Sequence, residues 1–290
     1  MATIYDDVTQ SIITELEQGA APWVKPWTCN ASFTALPQNA TTAREYSGTN
    51  ILLLWLASTA RGFVNPSFLT YKQAEAAGGH VRKGEKGTRI VFAGASIREA
   101  LTAEGETTER RIPFLKGYTV FNVEQCDDLP DDMAATPAQR PVIETDADFS
   151  RFVASTGAKI IHKGNAAFYS VTGDFVQIPH PDDFDSAASY QATVTHELGH
   201  WTGAPHRLAR EYGKRFGDKA YAFEELVAEL TAAFMCARMG IKGELRHAGY
   251  IGQWLDILKA DSRAVFTAAS HASKAADFLT ASTIEAADAA

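Results

Sequence analysis

The 290-residue chain has 46% hydrophobic and 21% charged residues, a globular balance that excludes an intrinsically disordered protein. Its acidic first residues lack the basic-then-apolar layout of a secretion signal, and the apolar run at 51–57 is too short to cross a bilayer. The three cysteines show neither zinc-type nor disulfide spacing: Cys29, Cys126 and Cys236. We therefore expect a soluble, cytoplasmic protein with no membrane partner.

The net charge of −8 hides an asymmetry along the chain. Residues 20–98 hold nine Lys or Arg against three Glu, a net charge of +6, so the remainder carries −14. A basic block inside an acidic protein is the electrostatic footprint of a nucleic-acid-binding region.

The first part of the chain predicts a small α+β domain over residues 1–127. Helical spacing of apolar residues covers 5–17, a second helix covers 48–60, and Thr70 is placed to cap a third. The segment 128–145 predicts a linker, because its acids, small residues and prolines do not sustain a helix or strand. Glycine-separated, β-prone runs lie before this linker at 80–82, 88–92 and 117–123.

A second domain is predicted over residues 146–290. A short helix at 146–155 precedes three strands, and Gly173-Asp174 predicts a hairpin turn between the last two. Strands followed by helices are typical of an α+β arrangement. The strands are expected at 159–161, 167–171 and 175–178, and the helices from 189 through 200, at 222–239, at 247–259 and at 263–279.

The segment His196-Glu197-Leu198-Gly199-His200 predicts a metal site with its own general base. Residues four apart share one face of a helix, so His196 and His200 can bind a single ion. Glu197 would lie beside the open coordination position, where it can take a proton from water. Zn²⁺ is the expected metal, with another divalent transition metal as the alternative, and a zinc metallopeptidase is the activity that such a site favours.

A hydrolytic zinc site needs a third protein ligand, and the chain offers two alternatives. Glu225 and Glu229 are four apart, so one can bind the metal while the other orients a histidine. Their neighbour Glu224 fits a solvated acid at a helix start. His206 would complete the three-histidine metzincin pattern, but the methionine turn of those enzymes is missing. A carboxylate is favoured over His206, and the oxyanion stabiliser stays open among Tyr250, His247, Tyr221 and Tyr212.

Aromatic residues are interleaved with the cations of the basic block. Single-stranded nucleic acids bind such a combination, because bases stack on rings while Lys and Arg follow the phosphates. Trp55, flanked by leucines, is better explained as a core residue. The residues predicted to contact DNA are Lys25, Trp27, Arg44, Tyr46, Tyr71, Lys72, Arg82, Lys83, Lys86 and Arg89.

Several segments, in the same order, resemble ArdC-type antirestriction proteins. In the first half these are residues 22–27, 46–50, 69–74 and 81–87, from a domain that the family shares with TraC-type plasmid primases. In the second half, residues 196–203, 225–229 and 250–258 are similar to the zincin-like domain of the same family.

This resemblance implies a plasmid-encoded α+β protein with two domains, one binding single-stranded DNA and one zincin-like metallopeptidase domain. It implies protection of incoming conjugative DNA from host restriction endonucleases. It also implies Glu225 as a gluzincin-like metal ligand and Glu229 as the acid that orients a histidine. Two alternatives remain: a non-catalytic protein that coats DNA or contacts the restriction enzyme and has a structural metal site, and a protease that acts on DNA-bound proteins.

Overall fold

The computed structural model describes residues 3–18, 23, 35–101, 107–135, 146–210, 219–241 and 251–288. They form the expected α+β structure of two domains. None of the helices in these ranges combines the length and the apolar character needed to cross a bilayer.

The described residues of the N-terminal domain form four helices, one of them a single turn, together with a small sheet. The predicted helices at 5–17 and 48–60 are confirmed to within one residue at each end. Thr70 caps the third, because its hydroxyl accepts from the Gln73 amide while the Gln73 side chain accepts from the Thr70 amide. The elements are α1 (Ile4–Glu17), β1 (Gln38–Asn39), α2 (Thr49–Arg61), β2 (Ser67–Leu69), α3 (Tyr71–Ala76), β3 (His80–Val81), β4 (Thr88–Leu101), β5 (Thr107–Asn122), a 3₁₀ turn (Val123–Gln125), β6 (Cys126–Asp127) and α4 (Asp131–Ala134).

The hairpin of β4 and β5 is much longer than the predicted strands at 88–92 and 117–123. The sheet order is β1-β2-β5-β4, and the hairpin pairs run from Thr88 opposite Val120 to Leu101 opposite Thr107. Strand β2 pairs with β5 only at its end, so most of the hairpin is a two-stranded ribbon. Its outer part contains Pro113, which weakens the β signal but is tolerated where β5 has a free edge.

The predicted linker at 128–145 is wrong over its first eight residues, which belong to the N-terminal domain. Leu129 and Met133 pack against a small hydrophobic cluster around Leu69, and α4 supplies a helical turn. The Asn65 amide donates to the carbonyls of residues 134 and 135, each at 3.1 Å. Two apolar side chains among the acids therefore suffice to hold this segment, while residues 136–145 lie outside the described part.

The C-terminal domain packs a three-stranded sheet against a group of helices. The sheet order is β7-β9-β8, with β7 parallel and β8 antiparallel to β9. The predicted hairpin turn is confirmed, since Asp174 has a positive φ of 46° between β8 and β9. The elements are α5 (Asp146–Thr156), β7 (Ile160–His162), β8 (Phe168–Ser170), β9 (Phe175–Ile178), a 3₁₀ turn (Pro181–Asp183), α6 (Ala187–Trp201), α7 (Lys219–Met239), α8 (Ile251–Ala260) and α9 (Ala264–Asp288).

One hydrophobic core joins the two domains. Trp55 of α2 is fully buried against Phe234 of α7, with ring centroids 5.8 Å apart, which confirms its predicted core position. Trp23 packs edge-on against Trp254 of α8 at 5.6 Å. Polar contacts follow the same boundary, because the Thr9 hydroxyl donates to the Ser262 carbonyl at 2.7 Å. The position of one domain relative to the other is therefore set by packing rather than by a tether.

Candidate metal centre and nucleic-acid surface

The paired histidines lie near the end of α6, where a close approach to α7 brings partners within reach. Their ring centroids are 4.9 Å apart, as expected for positions four apart on one helix face. Gly199 lies between them at the crossing point, and a Cβ built there would lie only 3.1 Å from the Cα of Ala228 in α7. Glycine thus lets the two helix backbones approach closely at the site.

Glu225 of α7 faces both histidines through the same nitrogen of each ring. One carboxylate oxygen lies 3.5 Å from Nε2 of His196, and the other lies 3.5 Å from Nε2 of His200. The three residues offer donor atoms that all lie within 4.8 Å of one another. This is the arrangement of three protein ligands that a tetrahedral catalytic metal site requires.

The opposite ring nitrogens face two further carboxylates of α7. Nδ1 of His196 lies 3.5 Å from Oε2 of Glu229, and Nδ1 of His200 lies 3.4 Å from Oε1 of Glu224. A carboxylate at Nδ1 holds a proton there, so each Nε2 would be the nitrogen that gives up its proton and binds a metal ion beside Glu225.

Glu224 is therefore buried at the site, and its predicted position as a solvated acid at a helix start is wrong. The prediction failed because α7 is apolar on all sides beyond its first turn, which makes it a buried helix rather than an amphipathic one. That all-round apolar pattern is the sequence signal that could have revealed the burial of Glu224.

Arg210, which the sequence reasoning missed, holds Glu224 in place. Its guanidinium donates to both carboxylate oxygens, Nη2 to Oε1 at 2.7 Å and Nε to Oε2 at 3.0 Å. It also donates to the Gly199 carbonyl at 2.6 Å and to the Thr202 hydroxyl at 2.9 Å. Arg210 thus joins the end of α6 to the start of α7. The sequence gives no signal for this role, because Arg210 lies ten residues after His200 and outside both helices.

The electrostatics of the cluster favour a bound cation. Four buried carboxyl groups surround the two imidazoles, and among the described residues Arg210 is the guanidinium that contacts them. Burial by itself lowers the pKa of both histidines, but the facing carboxylates outweigh it and raise the pKa of His196 to about 10 and that of His200 to about 9. Positive charge is strongly stabilised here, and two imidazoles with a carboxylate suit a divalent transition metal. The four carboxyl groups are those of Glu197, Glu224, Glu225 and Glu229.

Glu197 differs from its three acidic neighbours. It follows His196 on α6, is 7% exposed, and within the described part of the chain its carboxylate has no hydrogen-bond partner. The other three carboxylates are committed to imidazoles. Glu197 is consequently the one of the four that is available to exchange a proton with a bound molecule.

His206 does not lie at the site, so the metzincin alternative is not supported. It is exposed and lies 3.3 Å from Asp174, in a cluster in which Arg207 bonds to Asp174 and Tyr169. Arg207 also stacks on the Trp201 ring, with its guanidinium carbon 3.9 Å from the ring centroid. Of the oxyanion candidates, Tyr221 is half-buried in the first turn of α7, while Tyr212, His247 and Tyr250 lie outside the described residues.

Most of the predicted DNA-contacting residues in the described ranges are exposed, but two are engaged within the fold. Tyr46 is half-buried against the hydrophobic core, and burial raises its pKa. Its ring packs against both neighbouring hydrophobic clusters and is only partly exposed, so its role as a DNA contact stays a prediction. The exposed residues are Arg44, Tyr71, Lys72, Lys83, Lys86 and Arg89, while Lys25 and Trp27 lie outside the described ranges.

Arg82 is the second engaged residue. Its guanidinium donates to Glu85 at 3.0 Å, to Asp127 at 3.3 Å and to the Glu124 carbonyl at 2.6 Å. These contacts join the turn after β3 to β6 and balance the charge of Arg82 with two carboxylates, while its side chain stays 41% exposed and its DNA contact stays a prediction.

Comparison with known proteins yields two family models and a solved relative. The N-terminal domain of anti-restriction factor ArdC matches residues 2–121, and a zincin-like metallopeptidase matches residues 147–271. The metal-free crystal structure of the antirestriction ArdC protein from the R388 plasmid has a TM-score of 0.83 and 40% sequence identity, covering 98% of this chain and 99% of that one. Its Mn(II)-bound structure has a TM-score of 0.80 and 38% identity, covering 97% and 98%.

Two further relatives are similar in sequence. An uncharacterized protein, y4eC of Sinorhizobium fredii, is 41% identical and covers 95% of this chain and 91% of its own length. A DNA primase TraC of Escherichia coli is 37% identical over 96% of this chain, which spans only 27% of the primase. With both halves matched in order, this chain belongs to the ArdC family of antirestriction proteins, with a zincin-like metallopeptidase domain as its second half.

Proposed function

We propose that this protein binds single-stranded DNA through its N-terminal domain and protects incoming conjugative plasmid DNA from host restriction endonucleases in the cytoplasm. Membership in the ArdC family and the net charge of +6 over residues 20–98 support the proposal. The exposed cations at Lys83, Lys86 and Arg89 are available to phosphates.

The C-terminal domain is proposed to be a metallopeptidase whose metal is zinc, with Mn²⁺ as the alternative that the R388 relative favours. The observation that carries this proposal is the convergence of both Nε2 atoms on Glu225 with a carboxylate behind each ring. His196, His200 and Glu225 would hold the ion, while Glu229 and Glu224 orient the imidazoles. A bound divalent ion supplies Lewis acidity toward a peptide carbonyl and toward water.

Glu197 is proposed to be the general base. Its carboxylate lies next to the first ligand and is uncommitted, so it can accept a proton at the open side of the site and return it to the departing amine. Both nitrogens of His196 and of His200 face carboxylates of α7, which leaves Glu197 as the group placed to exchange the proton.

The Glu197→Gln variant tests the peptidase proposal. Metal content should be unchanged, while cleavage of a DNA-bound protein substrate should fall by about 10²- to 10⁴-fold, the usual contribution of a general base. His196→Ala is the paired control, because it should lose both metal and cleavage. Metal retained with undiminished cleavage in Glu197→Gln would exclude Glu197 as the base.

The alternative function is that of a non-catalytic DNA-binding protein. The core that joins the domains favours this alternative, because the second domain can stabilise the first by packing, without any catalytic activity. Conjugation into a restricting host separates the two functions. Full protection by Glu197→Gln would leave DNA binding as the mechanism, and loss of protection would support a protease acting on DNA-bound proteins or on the restriction enzyme.

The DNA-binding proposal is tested with a labelled oligothymidylate. We expect binding that weakens steeply with salt, with a log–log slope of about −0.7 for each phosphate contacted, and a preference over duplex DNA of equal length. Equal affinity for duplex, or binding indifferent to salt, would contradict it.

A further inference from the structure

The β4–β5 hairpin exposes large apolar side chains on one face. Phe92 is 53% exposed, Tyr118 46% and Ile112 37%, and the strand register places all three on the same face of the ribbon. At the root of the hairpin this face is covered, because Ile90 and Val120 pack into a cluster with α2. The apolar face therefore continues outward, beyond the core that covers its root.

The two exposed rings form a contiguous group with the half-buried Phe114 ring and a cation. The Phe92 ring centroid lies 6.3 Å from that of Phe114 and 6.3 Å from that of Tyr118. Lys116, directly opposite Phe92 in the register, places its ammonium 5.3 Å from the Phe114 ring centroid. Three aromatic rings and one lysine thus share a short stretch of two strands.

Gly94 makes room for this arrangement. It pairs with Phe114, and a Cβ built at Gly94 would lie 2.5 Å from Cζ of that ring. The Phe114 ring consequently lies over the backbone of β4, where it is half-buried. The exposed rings of Phe92 and Tyr118 beside it are the kind of surface on which nucleobases stack.

We propose that Phe92, Phe114 and Tyr118 form a stacking surface for the bases of single-stranded DNA, with Lys116 contacting a phosphate. The proposal rests on the DNA-binding function above and adds a surface that lies outside the residues that the sequence predicted. The occupant follows from the chemistry: rings interleaved with a cation, in the domain whose residues 20–98 carry a net +6, suit a polyanion with exposed bases. A purely apolar partner would leave Lys116 without a counter-charge.

Binding of an oligothymidylate of about 20 nucleotides, longer than the usual site of about 4–16, is the first measurement. Phe92→Ala and Tyr118→Ala should each weaken binding by about 5- to 150-fold, the range for loss of one stacked base. Phe92→Trp should retain affinity and add a tryptophan whose fluorescence is quenched by the oligonucleotide. Phe168→Ala is the matched control, because Phe168 is similarly exposed but lies in the C-terminal domain.

An abasic strand of the same length separates stacking from phosphate contact. The wild-type protein should bind it more weakly than the thymidylate, whereas the Phe92→Ala/Tyr118→Ala double variant should bind the two strands alike. Lys116→Ala should lower the slope of log affinity against log salt by about 0.7 on either strand.

These measurements separate failure of the stacking surface from failure of the proposed single-stranded DNA binding. A wild-type protein that binds no single-stranded DNA would overturn both. Salt-dependent binding that is unchanged in the double variant, and lost on replacing Lys83 and Lys86, would overturn only the stacking surface. A change in oligomeric state of the double variant without a change in DNA affinity would also overturn it, by assigning the rings to a second copy of the chain. Circular dichroism confirms that each variant is folded.

Discussion

The two candidate sites of this protein are built in opposite ways. The metal centre lies in the interior between α6 and α7, with every donor faced by a partner at 3.4–3.5 Å. The proposed DNA surface is spread over an exposed ribbon and exposed turns, where Lys83, Lys86 and Phe92 face solvent. The large core that joins the domains surrounds the metal centre, whereas a separate small cluster with α2 supports the hairpin.

A metal ion and a DNA strand make different demands on a binding site. A metal ion requires donors at fixed distances, and burial among carboxylates makes each contact strong because the local dielectric is low. A flexible polyanion requires spaced charges and ring faces, which work best when exposed. Changes in the interior should therefore alter stability and metal affinity together, whereas surface changes should alter binding alone.

The largest expected effect follows removal of the Arg210 guanidinium. Arg210→Ala leaves Glu224 buried without its partner, which should destabilise the fold by about 3–5 kcal/mol. Because Glu224 orients His200, metal affinity should also fall by about 10- to 100-fold. Chemical denaturation and metal titration with a chromogenic competitor measure the two effects.

Arg207→Ala is the matched control for this comparison. Arg207 is also a buried arginine in an ion pair, but its partner is Asp174 rather than a residue of the metal cluster. It should lose stability while retaining metal affinity. Equal loss of metal affinity in the two variants would show that Arg210 acts only through the general stability of the domain.

Metal binding should stabilise the folded protein by mass action. An excess of Zn²⁺ at about 100 times the dissociation constant should add about 2.7 kcal/mol, seen as a rise in Tm. His196→Ala should show no such rise, whereas Glu197→Gln should respond like the wild-type protein because Glu197 is not proposed to bind the ion. A Zn²⁺-dependent rise in His196→Ala would place the ion elsewhere.

Charge removal on the surface should leave stability unchanged. Lys83→Ala and Lys86→Ala should each lower the salt slope of single-stranded DNA binding by about 0.7, with Tm unaltered. Lys163→Ala provides the control, since Lys163 is exposed in the other domain. If the slope of log affinity against log salt were the same for all three variants, Lys83 and Lys86 would not contribute more to DNA binding than a lysine of the other domain.

The smallest effect is expected for His206→Ala. His206 is exposed and contacts Asp174, so stability should change by less than about 0.5 kcal/mol and metal stoichiometry should not change. Loss of metal in this variant would show that His206 is a metal ligand, as the three-histidine pattern predicts and the geometry does not support.

How far the sequence anticipates the structure depends on the distance between the residues involved. The helices that start at Ile4 and Thr49, the cap at Thr70 and the turn at Asp174 are correctly predicted, because propensities and capping act over a few residues. The strands at the root of the hairpin are correctly predicted, but its outer part and the segment 128–135 are not, because partners distant in sequence stabilise them: the pairing of β4 with β5, and Asn65 beside α4.

The sequence alone determined the spacing of His196, Glu197 and His200 on one helix face, the acids four apart in α7, and the concentration of positive charge in residues 20–98. These properties are local or compositional, so they need no folded chain. Only the tertiary structure decided that Glu225 faces both Nε2 atoms, that Arg210 reaches back to Glu224, and that Phe92, Phe114 and Tyr118 form one surface. Each of these contacts joins residues from separate elements, and the packing of helices and strands places them together.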